Sequence, residues 1–373
     1  MLPVLVFIAI TAFIAALILP WLLNAPPVAF IHLVFSVGVM PLIIGAMMHF
    51  VPVLTRSASP SPSAKTLPVW ATLAGLLVFI SFAYPTEAPN TYYLGALLGW
   101  VVSGVMGWWI YRRGVASLGR PHPCLNWYLA ALGCLMLALT AILLMVLFPE
   151  QRLPLRRFHL HLNTLGFIGL TAISTLQVLL PTATGKTDGK VAQRLRGDLK
   201  WMMAGVLLVA TGAGWVPLLV WPGLLLLAFP VMRLVLAWLR IYRQEIISWS
   251  GAAPSLGVAL LGFVMALLFG GLHGAGIISA SNAAIAYILS FLFPLVTGAA
   301  SQLLPVWIRP GQQNKWHTQL RQQLTFMAGL RAGLFIAAGA AVSLGWHWGI
   351  YIALAGLGMF GLQLVKGLFT SSK

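Results

Sequence analysis

Of the eight histidines in this chain, five (His32, His159, His161, His273 and His347) fall at or between the ends of long apolar stretches on what reads as the same, outer side. An imidazole there is costly to bury alone, and its natural partners are a metal ion, a heme iron or another polar side chain. His32 and His161 form the strongest pair, because they open two copies of one repeated segment. The copies run over 32–52, 161–181 and 285–305 and close on Pro52, Pro181 and Pro305. Within them Gly45-Ala46, Ser174-Thr175 and Gly298-Ala299 coincide, Pro41 falls on Pro294, and Leu179-Leu180-Pro181 matches Leu303-Leu304-Pro305. The third copy begins with Ile285 in place of histidine. A repeat at about a third of the chain's length sets the architecture before any motif does.

His159 and His161 lie two residues apart, so on a helix their side chains point about 200° from one another. They share one ion only if the helix has not yet started. Arg152, Arg156 and Arg157 immediately precede them. These arginines either snorkel to lipid headgroups or form an anion clamp, since guanidinium groups bind carboxylates in bidentate fashion. Asn163, Thr164, Ser174, Thr175 and Gln177 continue a polar face along the same stretch, which serves helix packing more often than a pathway. For metal ligation the candidates are His32, His161 and His273. His49, His122 and His317 fall at the opposite ends of their stretches or in loops, where an exposed role is the default.

Other chemistries lack their residues. The five acids, Glu87, Glu150, Asp188, Asp198 and Glu245, lie in or near loops, which disfavours proton transport through a buried carboxylate. Cys124 and Cys134 have no metal-binding spacing. There is no phosphate-binding glycine loop, nucleophile elbow or zinc-protease helix. The longest loop, 182–199, is too short for a catalytic domain. Arg233 and Arg331 sit inside apolar stretches, close enough to one end to snorkel.

The elements that position these residues follow from composition. With 60% hydrophobic and 7% charged residues and a mean hydropathy of +0.95, the chain reads as a polytopic membrane protein. Hydropathy predicts twelve spans, near 2–23, 28–54, 67–84, 91–111, 125–148, 158–181, 200–215, 217–240, 254–278, 281–305, 324–345 and 347–369. The turn at Gly214-Trp215-Val216-Pro217 is the boundary most easily misread as a kink. Lysine and arginine collect in the loops after even-numbered spans, which makes both termini cytoplasmic by the positive-inside rule. The net charge of +17 is then a topology signal and a contact with anionic lipid, not a nucleic-acid footprint. The first span is too long for a cleaved signal peptide and reads as an anchor.

Units with an even number of spans keep one orientation. The sequence therefore reads as a single transmembrane domain of three four-helix units, at about 1–124, 125–250 and 251–373, related by an axis along the membrane normal. Twelve helices in three arcs, with histidines at the outer ends of spans two and six, resemble the heme-copper oxidase subunit I superfamily. His32 matches that family's low-spin heme histidine on helix two. The family's histidines on helices seven and ten have no counterpart here, and span six reads His159-Leu160-His161-Leu162-Asn163 in place of its histidine-proline-glutamate-valine-tyrosine element. The usual binuclear heme-copper centre cannot be assembled from these residues. A closer likeness is the NnrS family of heme- and copper-containing membrane proteins. Its helix beginning with histidine and ending in proline-x-x-threonine is similar to His32 followed by Pro52-Val53-Leu54-Thr55, and Pro181-Thr182-Ala183-Thr184 repeats that ending.

The resemblance implies an inner-membrane protein that binds a b-type heme, with copper as a further candidate, in nitric oxide or respiratory metabolism. His32 and His161 would be the ligands, His159 and His273 secondary ones, and Arg156 and Arg157 would hold the propionates. Oxidase or reductase subunits are the implied partners. The rival expectation is a cofactor-free permease or an assembly subunit of a respiratory complex, in which the polar face of span six lines a passage.

Overall fold

The computed structural model describes residues 1–117 and 119–370, and among these no strand occurs. The helices are α1 (Leu2–Trp21), α2 (Pro27–Thr55), α3 (Ala64–Ala83), α4 (Thr91–Val115), α5 (Cys124–Leu147) and α6 (Pro149–Thr184). They continue with α7 (Val191–Gly214), α8 (Pro217–Ile241), α9 (Ala253–Gly274), α10 (Ala280–Ile308), α11 (Lys315–Ser343) and α12 (Gly349–Phe369). The Gly214 to Pro217 segment does separate two helices, and the Trp215 N–H closes the first on the Thr211 carbonyl at 2.9 Å.

Eleven of these helices are long and apolar enough to cross a membrane, where the sequence predicts twelve spans. The difference is α7. Arg194, Arg196, Asp198 and Lys200 occupy its first half, so its apolar run from Trp201 to Gly214 falls short of the ~20 residues a crossing takes. Exposed faces elsewhere carry large apolar side chains such as Phe7, Trp108, Leu225 and Phe369, the surface expected of helices solvated by lipid.

By internal packing the chain forms two compact units, which do not follow the borders of the three repeats. One comprises Met1–Ser174 and Ala192–Leu226, the other Thr175–Val191 and Leu227–Lys373. In the first unit α3 packs on α4, α4 on α5, and α5 on α6, while α1 lies against α2. In the second, α9 and α11 flank α10, and α11 pairs with α12.

α2, α6 and α10 each widen into a π-helical stretch, at Leu33–Val39, Leu162–Leu170 and Ile288–Leu292. In the first two the widening starts one residue after the repeat's histidine. In α2 and α10 a proline follows it, Pro41 and Pro294, whose missing N–H and bulky ring break the regular ladder below them. Side chains take up the loosened carbonyls. The Ser36 hydroxyl donates to His32 O at 2.5 Å, the Asn163 amide to His159 O at 2.9 Å, and the Ser290 hydroxyl to Ala286 O at 2.7 Å. A neighbouring glycine lets the next helix approach the widened turn. A Cβ at Gly75 of α3 would overlap the Ser36 carbonyl, and one at Gly262 of α9 would overlap that of Ser290.

Candidate functional site

In the first unit His32 and His159 fall within electrostatic reach of one another. α2 carries His32 just before its π stretch, and α6 is already helical from Arg152, so His159 and His161 project from opposite sides of a formed helix. The His161 Nδ1–H donates to the Arg157 carbonyl at 2.8 Å. The repeat singles out His161, and electrostatic reach adds His159 as a partner for His32.

Both rings are held in one tautomer. A carbonyl only accepts, so the contact of His32 Nδ1 with Val28 O at 2.8 Å places the proton of the neutral ring on Nδ1. The same holds for His159, whose Nδ1 meets Ala138 O of α5 at 2.9 Å. Each ring is left with its lone pair on Nε2. A backbone carbonyl on one ring nitrogen is the arrangement that orients a metal-ligating histidine through the other. The Asn163 amide nitrogen also stands 3.3 Å from His159 Nε2, a donor that a metal would displace.

Aromatic rings wall the site. His32 stacks on Phe82 of α3, with centroids 4.7 Å apart and planes 26° off parallel, and Phe82 stacks in turn on Tyr92 of α4 at 5.5 Å. Arg152 lies within electrostatic reach of Tyr92, which puts a cation at the rim of this aromatic column. Arg156 and Arg157 are exposed on the first turns of α6. Phe82, Tyr92 and Arg152 as a wall were not legible in the sequence, because their convergence depends on how three helices pack.

The remaining histidines lie elsewhere. His273 is exposed at the end of α9 in the second unit, its Nδ1 bonded to Ile278 O at 3.1 Å. His347 is exposed between α11 and α12. His317, expected in the open, is buried in the capping box that starts α11. Its Nδ1 pairs with Asn314 and its Nε2 donates to Arg309 O at 2.8 Å. Arg233 is exposed over Phe229 and fits the expected snorkelling, whereas Arg331 is fully buried.

The donor set is sparse. Among the described residues no group of three or more His, Cys, Asp or Glu is placed to hold a metal ion, and both cysteines are buried thiols. A metal ion held by protein alone takes three or four such donors. A heme iron receives four nitrogens from its porphyrin and needs only one or two imidazoles, so two histidines against an aromatic wall fit a heme better than a bare ion. Compared with known proteins, the sequence matches no family model and no curated protein.

Proposed function

We propose that this chain is a membrane-embedded heme-binding protein whose iron is held by His32 and His159, with Arg152, Arg156 and Arg157 available to the propionates. The observation that carries this reading is the pair of half-buried imidazoles from two helices, each with Nδ1 engaged by a backbone carbonyl so that Nε2 is the lone-pair nitrogen, on His159 now met by the Asn163 amide. Copper is the further metal that this imidazole chemistry suits, and His161 and His273, each within its own unit, remain secondary ligand candidates. Heme bound there would supply one-electron redox chemistry. The chain's own backbone carbonyls orient the imidazoles, and Phe82 covers one face of the His32 ring.

The resemblance to the NnrS family and to oxidase subunit I supports nitric oxide or respiratory metabolism as the setting, in an inner membrane, beside oxidase or reductase subunits. It also favours α7 as a twelfth crossing, three four-helix units, and both termini in the cytoplasm. The experiment is heme and metal content per chain in the purified protein and in His32→Ala, His159→Ala and His161→Ala. Heme should be near stoichiometric in the wild type and at least tenfold lower in the first two variants, and largely retained in the third. Full heme retention in both His32→Ala and His159→Ala would remove the proposal. A protein lacking both heme and metal would favour the permease or assembly role.

A further inference from the structure

At the cation-rich end of the first unit, opposite His32 along α2, three segments enclose a cavity. α2 stops after Thr55 in a tight turn, with the Ser57 N–H bonded to Pro52 O at 3.0 Å and Arg56 at a φ of 51°, a conformation that usually belongs to glycine. Arg113 of α4 fixes the chain beyond this turn by donating to the Ser57 hydroxyl at 2.6 Å and to the Ala58 carbonyl. Trp127 of α5 donates its indole N–H to Leu195 O at 2.8 Å, which ties α7 to α5 and sets Arg196 beside the loop that precedes α5.

The cavity measures about 450 Å³ and is lined by Arg56, Arg120, Arg196, His122, Thr55 and Ser117 among others, with no acidic residue in its wall. That volume falls in the range of small-molecule sites. Asp198 follows Arg196 by two residues, so on α7 it projects about 200° away, and it is buried. The Cys124 N–H donates to His122 Nδ1 at 3.3 Å, so the neutral ring carries its proton on Nε2 and is a donor. Burial, and after it the neighbouring Arg196, push the His122 imidazole below its ordinary range. Three guanidinium groups around one space repel one another until an anion joins them.

We infer that this cavity is a phosphate-binding site, in which Arg56, Arg120 and Arg196 hold a phosphate group carried by a lipid headgroup or by a soluble phosphorylated compound. Planar guanidinium forks match phosphate oxygens in pairs, and Ser117 and the His122 N–H complete a donor set with no competing carboxylate. This site is independent of the heme reading and at the other end of α2.

The test uses the full chain in a zwitterionic detergent, with Arg120→Gln and Arg196→Gln as variants and Lys65→Gln as a control on the same face. Arg120 and Arg196 are both exposed at the cavity, so neither change removes a buried contact; unchanged elution and unfolding midpoint without ligand verify the fold. Inorganic pyrophosphate and short-chain phosphatidic acid are titrated separately, reading bound adducts by native mass spectrometry and the shift in unfolding midpoint. Saturable binding about tenfold weaker in each arginine variant and unaltered in Lys65→Gln is expected, the size of one lost charge-assisted hydrogen bond. That pattern with pyrophosphate assigns a soluble ligand; with phosphatidic acid alone it assigns a lipid headgroup. Binding of neither probe, or binding equally strong in wild type and both arginine variants, overturns the inference.

Discussion

Arg331 carries a full charge into the interior of the second unit without an acid beside it. Its guanidinium donates to Leu324 O at 3.3 Å, to Ser301 Oγ at 3.4 Å and to the Gln363 side chain, and lies over the Phe360 ring at 5.2 Å. Gln363 passes the network on by donating to Phe326 O at 2.6 Å. These carbonyls end the first segment of α11, which breaks at Met327 with a φ of 51°, so the cation satisfies the orphan acceptors of a helix C-terminus. Replacing Arg331 with leucine orphans the Gln363 side-chain oxygen and leaves Leu324 O only the Ser301 hydroxyl, at 3.2 Å, a loss of about 1–3 kcal/mol for the orphaned group. Arg331→Leu should therefore lower the thermal-unfolding midpoint by several degrees. Adding Gln363→Leu should cost less than its effect alone, a non-additivity that a double-mutant cycle reads directly. From sequence Arg331 was expected to snorkel; its burial follows from the break in α11, which no glycine or proline at 326 or 327 announces. The histidines were legible as chemistry, but the electrostatic reach between His159 and His32 was not, since it depends on how separate helices are placed in the first unit.

Each π turn is an element built from a mismatch. The repeat was visible because prolines and small residues recur at fixed spacing, but a regular helical period conceals the inserted residue. Only Pro41 and Pro294 hint at it, and α6 widens with no proline at that place. The widened turn sets the direction of the histidine just before it, and the tight seat of α3 on that turn depends on Gly75. A leucine at Gly75 would drive its Cβ into the Ser36 backbone and force α2 and α3 apart, a cost of at least about 1–3 kcal/mol. Gly75→Leu should lower both the unfolding midpoint and the heme content, because His32 loses its stacking on Phe82. Gly107→Leu on α4, where an added Cβ meets nothing within 4 Å, should leave both unchanged.

At the scale of the molecule, hydropathy made the all-helical, membrane-type architecture plain, and the crossing count turns on α7 alone. Arg196 and Lys200, exposed in its first half, draw that end toward water, while Arg194 and Asp198 are buried and Trp201 to Gly214 is apolar. If α7 completes a crossing, the number of spans is even and the termini share a side; if it does not, they are opposed. Reporter fusions at residues 1 and 373 should both report the cytoplasm, and one at residue 215 the opposite side. Opposed termini would take α7 out of the membrane and with it the three-unit arrangement. The division into two packed units has no signature in the sequence, since the apolar faces that pack helices and those that meet lipid are built from the same residues.

The most direct test of a His32–His159 heme is the absorption spectrum of the purified chain, oxidised and then dithionite-reduced, with heme quantified on the same sample. A heme held there gives a Soret band that shifts on reduction, at close to one heme per chain, and that disappears in His159→Ala. A colourless protein, or a Soret band unchanged in both His32→Ala and His159→Ala, would contradict the assignment.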